Sequence, residues 1–174
     1  GRKVIELIHE RGHEVGLHTS YDSWGDVGKM REEFNGLEKV AGEKVVGVRQ
    51  HWLRFSWEKT WDAQYGAGLR RDCTLGFNDR VGFRNGSAIG VCPWELYREG
   101  CREFEALPLC LMDSHLYDYD LKIDDEEERR RVIKDVVEEM RFVRGEGTVL
   151  WHPHVLGKDY GWRRGFEYLL DILS

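Results

Sequence analysis

Polar side chains that could do chemistry occur where short apolar stretches of the sequence end. His18 ends the stretch H-E-V-G-L-H, Arg49 ends K-V-V-G-V-R, and His152 ends T-V-L-W-H. A histidine can transfer a proton or ligate a metal, and an arginine can hold a carboxylate. If the stretches are parallel β-strands, the three residues lie at the strand ends where α/β folds bind their ligands. The pattern predicts a polar site organised around these three residues.

Two aspartates occupy similar positions. Asp72 follows a predicted strand over 69–74, and Asp113 follows the apolar segment E-A-L-P-L-C-L-M. Each of these residues also has an ordinary structural interpretation, since strand-end histidines are often hydrogen-bonded structural residues, and Arg49 could pair with any of the 32 carboxylates. Two histidines, an arginine and aspartates on successive strand ends together favour the functional interpretation.

The elements that would position these residues alternate between helix and strand. Apolar periodicity and capping residues predict helices over 3–11, 29–41, 56–64, 125–144 and 162–173, and strands over 13–18, 44–48, 69–74, 105–112 and 148–151. Such alternation is typical of parallel strands joined by crossover helices. Residues 75–89 contain several glycines and predict a long irregular segment. We expect a single α/β domain over residues 1–174.

Composition excludes several classes of partner. The 174 residues carry 26 basic and 32 acidic side chains, for a net charge of -6, which argues against a nucleic-acid or anionic-membrane partner. No apolar run is long enough for a transmembrane segment, and no signal peptide is visible. The four cysteines lack metal-site spacing and favour buried thiols in a reducing, cytoplasmic compartment, with Cys92 and Cys101 as an alternative pair. The oligomeric state is left open.

Four segments, in this order, resemble the motifs of polysaccharide deacetylases of the NodB-homology type. The segments are G-H-E-V-G-L-H-T-S-Y-D (12–22), G-V-R-Q-H-W-L-R-F (47–55), R-D-C-T-L-G-F-N-D-R-V-G-F-R-N-G (71–86) and T-V-L-W-H-P-H (148–154). The resemblance implies a distorted (β/α) barrel with fewer than eight regular strands. It also implies removal of N-acetyl or O-acetyl groups from a polysaccharide or amino sugar with the help of a divalent metal, often zinc.

The resemblance also implies roles for individual residues. His18 would ligate the metal, Arg49 would orient the catalytic carboxylate, and Asp72 would support the far side of the site. His152 would be the general acid that protonates the leaving amine or alcohol, while the metal polarises the acetyl carbonyl. The residues expected to contact the sugar substrate are Trp52, Trp151 and His154.

The sequence departs from the family pattern in two places. The position of the second ligand histidine is Asp22, whose carboxylate can bind a divalent metal or simply cap the loop. The family's first motif, an early strand ending in paired aspartates, has no counterpart here. The resemblance therefore implies a domain without its first strand, with a weakly held metal and weak or no activity.

Two other interpretations remain open. A carbohydrate-binding relative without catalysis or metal would keep an aromatic cleft in which tryptophans stack on sugars. The tryptophans available for this are Trp24, Trp52, Trp94 and Trp151. An unrelated α/β hydrolase is less favoured, because the sequence contains no G-x-S-x-G nucleophile motif.

Overall fold

A computed structural model describes residues 1–94, 103–117 and 123–174 of the chain. Helices lie at Arg2–Glu10 (α1), Val27–Ala41 (α2), Thr60–Ala67 (α3), Asp113–Tyr117 (α4), Glu126–Val143 (α5) and Arg163–Leu173 (α6). Strands lie at Leu17–His18 (β1), Gly47–Arg49 (β2), Arg71–Asp72 (β3), Glu105–Ala106 (β4), Leu109–Met112 (β5) and Thr148–Leu150 (β6). Short 3-10 turns cover His51–Leu53 and Pro153–Leu156.

The chain divides into two compact units. Unit 1 comprises residues 1–75 and 91–107, and unit 2 comprises residues 76–90 and 108–174. The expectation of a single domain over the whole chain stays a prediction. None of the helices in the described ranges is long and apolar enough to cross a membrane.

Unit 1 contains a parallel sheet in the order β1-β2-β3-β4. Helix α2 begins at Asp26, whose side chain accepts a hydrogen bond from the Lys29 backbone N–H, and it ends at Gly42 with φ 75°. Both are standard capping arrangements. The apolar face of α2 packs on the sheet and on α3 in a core made of Leu17, Met30, Phe34, Val45, Val48, Ala63, Ala67 and Leu69.

Unit 2 pairs β5 with β6, also in parallel. Helix α5 starts at Asp125, which accepts a hydrogen bond from the Glu127 backbone N–H, and three glutamates follow in its first turn, where they complement the helix dipole. The core that this helix shares with β5, α4 and α6 contains Cys110, Leu111, Leu116, Tyr117, Ile133, Val136, Val137 and Leu169. Gly145 follows the helix at a close approach to the backbone of Ala88.

The prediction of an α/β fold with parallel strands is confirmed. The expected strand over 105–112 is instead two strands, β4 and β5, separated at Leu107 and Pro108, because a proline has no N–H to donate to a ladder. The expected helix start at Ser56 was also wrong. Ser56 caps a turn by accepting a hydrogen bond from the Glu58 N–H, and α3 begins only at Thr60. Residues 75–90 contain neither helix nor strand, as expected.

Candidate functional site

Three of the predicted site residues are the last residues of adjacent strands in unit 1. His18 ends β1, Arg49 ends β2 and Asp72 ends β3. The parallel register pairs His18 with Arg49, and Val48 with Asp72. The carboxyl ends of these strands therefore meet at one edge of the sheet, which is where parallel sheets bind ligands.

The loops after β1 and β2 are tied together by hydrogen bonds. The Thr19 backbone N–H donates to the Arg49 carbonyl oxygen at 3.2 Å, and the Thr19 hydroxyl donates to the Gln50 side-chain oxygen at 2.6 Å. Both Thr19 and Gln50 are buried. Buried polar groups with satisfied hydrogen bonds specify one arrangement, because breaking them leaves polar atoms without water. This contact therefore fixes the positions of His18, which precedes Thr19, and of His51, which follows Gln50.

The imidazole of His18 contacts a second imidazole that the sequence analysis did not select. Its Nδ1 lies 3.1 Å from the Arg49 carbonyl oxygen, and its Nε2 lies 3.0 Å from Nδ1 of His51. The ring centroids are 5.1 Å apart. A carbonyl oxygen can only accept, so we assign the hydrogen of neutral His18 to Nδ1 and the lone pair to Nε2.

The backbone that follows His51 has an uncommon conformation. Trp52 and Leu53 have φ of 56° and 48°, the left-handed region that side chains other than glycine seldom adopt. Leu53 is buried, whereas the Trp52 side chain is 65% exposed. The turn therefore presents an indole to solvent next to His51 in the chain, and contact of Trp52 with a sugar stays a prediction. Such strain persists where the surrounding structure enforces it, often at functional sites.

The other predicted metal ligand, Asp22, takes part in an exposed ion pair. Nη1 of Arg54 lies 3.3 Å from Oδ1 of Asp22 and donates to the Tyr21 carbonyl oxygen at 2.7 Å. The same guanidinium lies over the rings of Tyr21 and Trp24, at 4.1 and 5.1 Å from their centroids. The Asp22 side chain is 75% exposed. Its role as a metal ligand stays a prediction.

Glu33 on α2 holds the start of the loop after β1. Its carboxylate accepts hydrogen bonds from the Ser20 backbone N–H at 3.0 Å and from the hydroxyls of Ser20 and Ser23 at 2.5 Å each. Burial by itself raises the pKa of Glu33, but these hydrogen bonds and the charge of Lys29 outweigh it and lower the pKa. The ionised carboxylate therefore stabilises the loop.

Arg49 and Asp72 lie deeper than His18. Nε of Arg49 donates to the Cys73 carbonyl oxygen at 2.9 Å, and burial lowers the pKa of the guanidinium despite the charge of Asp72 nearby. The Asp72 carboxylate is fully buried and accepts hydrogen bonds from Trp61 Nε1, Gln64 Nε2 and the Thr74 backbone N–H. Burial raises the pKa of Asp72, although these hydrogen bonds act in the opposite direction. Asp72 thus anchors α3 and the loop after β3, and catalytic roles for Arg49 and Asp72 stay predictions.

In unit 2, a buried carboxylate holds the predicted general acid. Asp113 follows β5 and is fully buried, and His152 follows β6 with its side chain 42% exposed. The Asp113 carboxylate accepts a hydrogen bond from the His152 backbone N–H at 2.6 Å and lies 2.9 and 3.0 Å from Nδ1. Because the carboxylate only accepts, we assign a hydrogen to Nδ1 of His152, which leaves Nε2 for proton transfer.

The two remaining predicted substrate contacts lie on either side of His152. The Trp151 ring is half-buried and packs against Tyr117 and Phe166, with centroids 6.2 and 5.6 Å apart. His154 is exposed, and its ring centroid lies 5.6 Å from that of His152. Contact of either residue with a sugar stays a prediction.

Two residues of the candidate site had no role assigned from the sequence. Asp113 was recognised as a strand-end carboxylate, and the hydrogen bonds to His152 now supply its function. His51 lies two residues after Arg49, but nothing in that spacing indicated that it would face His18. Within the described ranges, no three or more His, Cys, Asp or Glu side chains come together as a potential metal site.

Unit 1 thus carries a histidine pair at its strand ends. Unit 2 carries a hydrogen-bonded Asp–His pair. No protein-family model and no curated protein sequence matches the chain. A solved structure from Mycobacterium smegmatis, described as a "putative polysaccharide deacetylase", is similar with a TM-score of 0.67 and 20% identity. The similarity covers 99% of this chain and 61% of that chain, so the present sequence spans about three fifths of its length. At this identity the similarity establishes the fold.

Proposed function

We propose that the chain is a carbohydrate deacetylase, a hydrolase that removes acetyl groups from a polysaccharide or amino sugar, built on a distorted (β/α) barrel. The single observation that carries the proposal is the hydrogen-bonded pair of Asp113 and His152. An exposed imidazole oriented by a buried carboxylate is suited to general acid–base catalysis, since the carboxylate fixes the tautomer and the orientation of the ring. The described similarity to the Mycobacterium smegmatis structure supports the choice of reaction.

In the proposed reaction, water attacks the acetyl carbonyl carbon, and the bond from that carbon to the sugar nitrogen or oxygen breaks. His152 donates a proton from Nε2 to the leaving amine or alcohol, while Asp113 keeps Nδ1 protonated and the ring in place. The attacking water releases its proton to solvent, and Nε2 of His152 takes up a proton from solvent again. The products are acetate and the deacetylated sugar. General acid catalysis of this kind contributes about 10²–10⁴-fold to the rate.

A divalent cation, zinc by preference, completes the proposal. The donor set fits such an ion, because His18 has one ring nitrogen hydrogen-bonded to a backbone carbonyl and directs the other toward a second imidazole. His18 would hold the ion, whereas the carboxylate of Asp22, the other ligand predicted from the sequence, is paired with Arg54. The bound cation would supply Lewis-acid polarisation of the acetyl carbonyl. Arg49 would orient the catalytic carboxylate, and Asp72 would support the far side of the site.

A panel of acetylated compounds tests the substrate class. Acetate release in the presence of zinc would be followed by proton NMR with N-acetylglucosamine oligomers, O-acetylated xylan and an acetyl-lysine peptide. We expect slow acetate release from at least one of the sugars, in line with the weak activity that the resemblance implies, and none from the peptide. Acetate from the peptide at the same rate, or no acetate from either sugar, would contradict the proposal.

The exposed aromatic rings favour carbohydrate binding without catalysis as the second candidate function. Trp52 and Tyr21 are 65% and 52% exposed on the loops that follow β2 and β1, and sugars commonly stack on such rings. Under this alternative, the sugar oligomers would quench tryptophan fluorescence at a saturable concentration, and the quenching would be lost in Trp52→Ala, while no acetate appears.

A further inference from the structure

We infer that His51, together with His18, forms the pair of nitrogen ligands that binds the divalent cation. The motif resemblance assigns no role to His51. The inference rests on the proposed function, in which His18 ligates a divalent cation. It starts from the contact between the two rings, in which Nε2 of His18 lies 3.0 Å from Nδ1 of His51.

The separation of the two nitrogens matches what a shared metal ion requires. Two imidazole nitrogens at about 2.1 Å from one ion are about 3.0 Å apart at a right angle and about 3.4 Å apart at the tetrahedral angle. The observed 3.0 Å lies at the lower end of this range. Binding of a first-row divalent cation would therefore change this separation by about 0.4 Å or less, and the rings would turn so that both lone pairs point at the ion.

The hydrogen bond on the far side of His18 supports the same conclusion. A histidine that ligates a metal almost always donates its other ring N–H to a carbonyl or carboxylate, which fixes the tautomer and orients the ring. In His18 this is the Nδ1 contact to the Arg49 carbonyl oxygen at 3.1 Å. The lone pair of Nε2 is thereby directed to the side on which His51 lies.

The His51 ring is held in position from its own backbone. Its N–H points to the Thr19 hydroxyl at 3.4 Å, a long contact, and the left-handed residues Trp52 and Leu53 turn the chain immediately afterwards. This conformation is strained for residues that carry a Cβ. A structure that maintains this conformation keeps the two imidazoles together before any ion binds, which reduces the ordering cost of binding.

Without a cation, the same two rings form a neutral hydrogen bond. Because Nδ1 of His18 carries that ring's hydrogen, Nδ1 of His51 is the donor and Nε2 of His18 the acceptor. To bind a cation through Nδ1, His51 must carry its hydrogen on Nε2 instead. The ring reaches this tautomer by exchanging a proton with solvent, so the number of protons on the protein does not change. Protonation of either ring competes directly with the cation.

Asp22 is the weaker choice for the second ligand. Its carboxylate pairs with Arg54, whose positive charge opposes a cation at that position. The ligand pair therefore joins the loops after β1 and β2, rather than two residues within the loop after β1.

Metal titration tests the inference without turnover. Zinc binding would be measured by calorimetry, and cobalt binding by visible absorption, for the unmodified chain and for His51→Gln, His18→Gln and Asp22→Asn. The exposed His13 offers a matched control in His13→Gln, which removes an imidazole from the same unit. We expect one ion per chain, at least a tenfold loss of affinity in His51→Gln and in His18→Gln, and a change under twofold in Asp22→Asn and His13→Gln.

A double variant and a spectroscopic measurement complete the design. If both rings bind one ion, His18→Gln combined with His51→Gln weakens zinc binding by less than the product of the two single effects. Nitrogen NMR of the unmodified chain should show zinc-dependent shifts of His51 Nδ1 and His18 Nε2, which requires no variant to fold. Unchanged affinity in His51→Gln, or zinc shifts that omit His51, would overturn the inference even if acetate is released. Zinc binding that depends on His51 without acetate release would instead contradict the proposed function.

Discussion

The substitution Asp113→Asn, compared with His152→Gln, distinguishes what the Asp113–His152 pair contributes to stability from what it contributes to catalysis. In the structure, Oδ1 of Asp113 accepts from the Ser114 backbone N–H at 2.7 Å, and Oδ2 accepts from the His152 backbone N–H at 2.6 Å. An asparagine has only one oxygen, so in either orientation its NH₂ group faces a backbone N–H. The substitution therefore creates an unsatisfied donor at a fully buried position.

The expected loss of stability follows from this single unsatisfied donor. Leaving one buried donor unsatisfied costs about 1–3 kcal/mol, so we expect the free energy of unfolding of Asp113→Asn to fall by about 2 kcal/mol. For a chain of this length, the melting temperature should fall by about 4–8 °C. Activity should fall by about 10²–10⁴-fold, because Nδ1 of His152 loses the carboxylate that orients it.

His152→Gln should reduce stability less than Asp113→Asn does. It removes the ring but keeps the backbone N–H that donates to Asp113, so we expect a loss of only about 1 kcal/mol in unfolding free energy. Its activity should be at least as low as that of Asp113→Asn. Urea unfolding and acetate release would be measured on both, with Asp135→Asn on the exposed face of α5 as the control. If His152→Gln is the less stable variant, or if Asp113→Asn retains full activity, this account of the pair is wrong.

Three further predictions concern stability. Gly145→Ala should destabilise unit 2 by about 3 kcal/mol, because the new Cβ would lie 2.0 Å from the Ala88 carbonyl oxygen. By contrast, Gly36→Ala, which meets nothing within 4 Å inside α2, should stabilise by about 0.5–1 kcal/mol in the same urea titration. The folded-state pKa of Glu33 is lowered, so its contribution to stability is present above its ordinary value of 4.5 and is lost as the pH falls through the lowered pKa. Glu33→Gln should therefore be less stable than the unmodified chain at pH 7 and should approach it in acid, whereas a constant difference, or the same profile in the exposed control Glu32→Gln, would contradict this role.

Local signals in the sequence were sufficient to predict much of the fold. Asp125 before three glutamates marks the start of α5, and Gly42 marks the end of α2, because both positions are governed by backbone hydrogen bonds within a few residues. The alternation of helix and strand then implies parallel pairing. The strand ends at His18 and Arg49 follow from the same pattern.

The remaining features depend on contacts between distant residues. His51 approaches His18 only because the Thr19 and Gln50 side chains join two loops, and that pairing leaves no periodic signal. The left-handed turn at Trp52 could not be anticipated, because no glycine marks it. The short helix α4, which begins at Asp113, was also missed, since five residues are too few for a helical periodicity to be recognised.

The most direct test of the proposed function is the rate of acetate release from the preferred acetylated sugar by three proteins under one zinc concentration. These are the unmodified chain, His152→Gln, and the control His13→Gln, which removes an exposed imidazole from unit 1. We predict that His152→Gln releases acetate about 10²–10⁴-fold more slowly, while His13→Gln matches the unmodified chain. Equal rates for the unmodified chain and His152→Gln would contradict the assignment of His152 as the general acid and, with it, the proposed function.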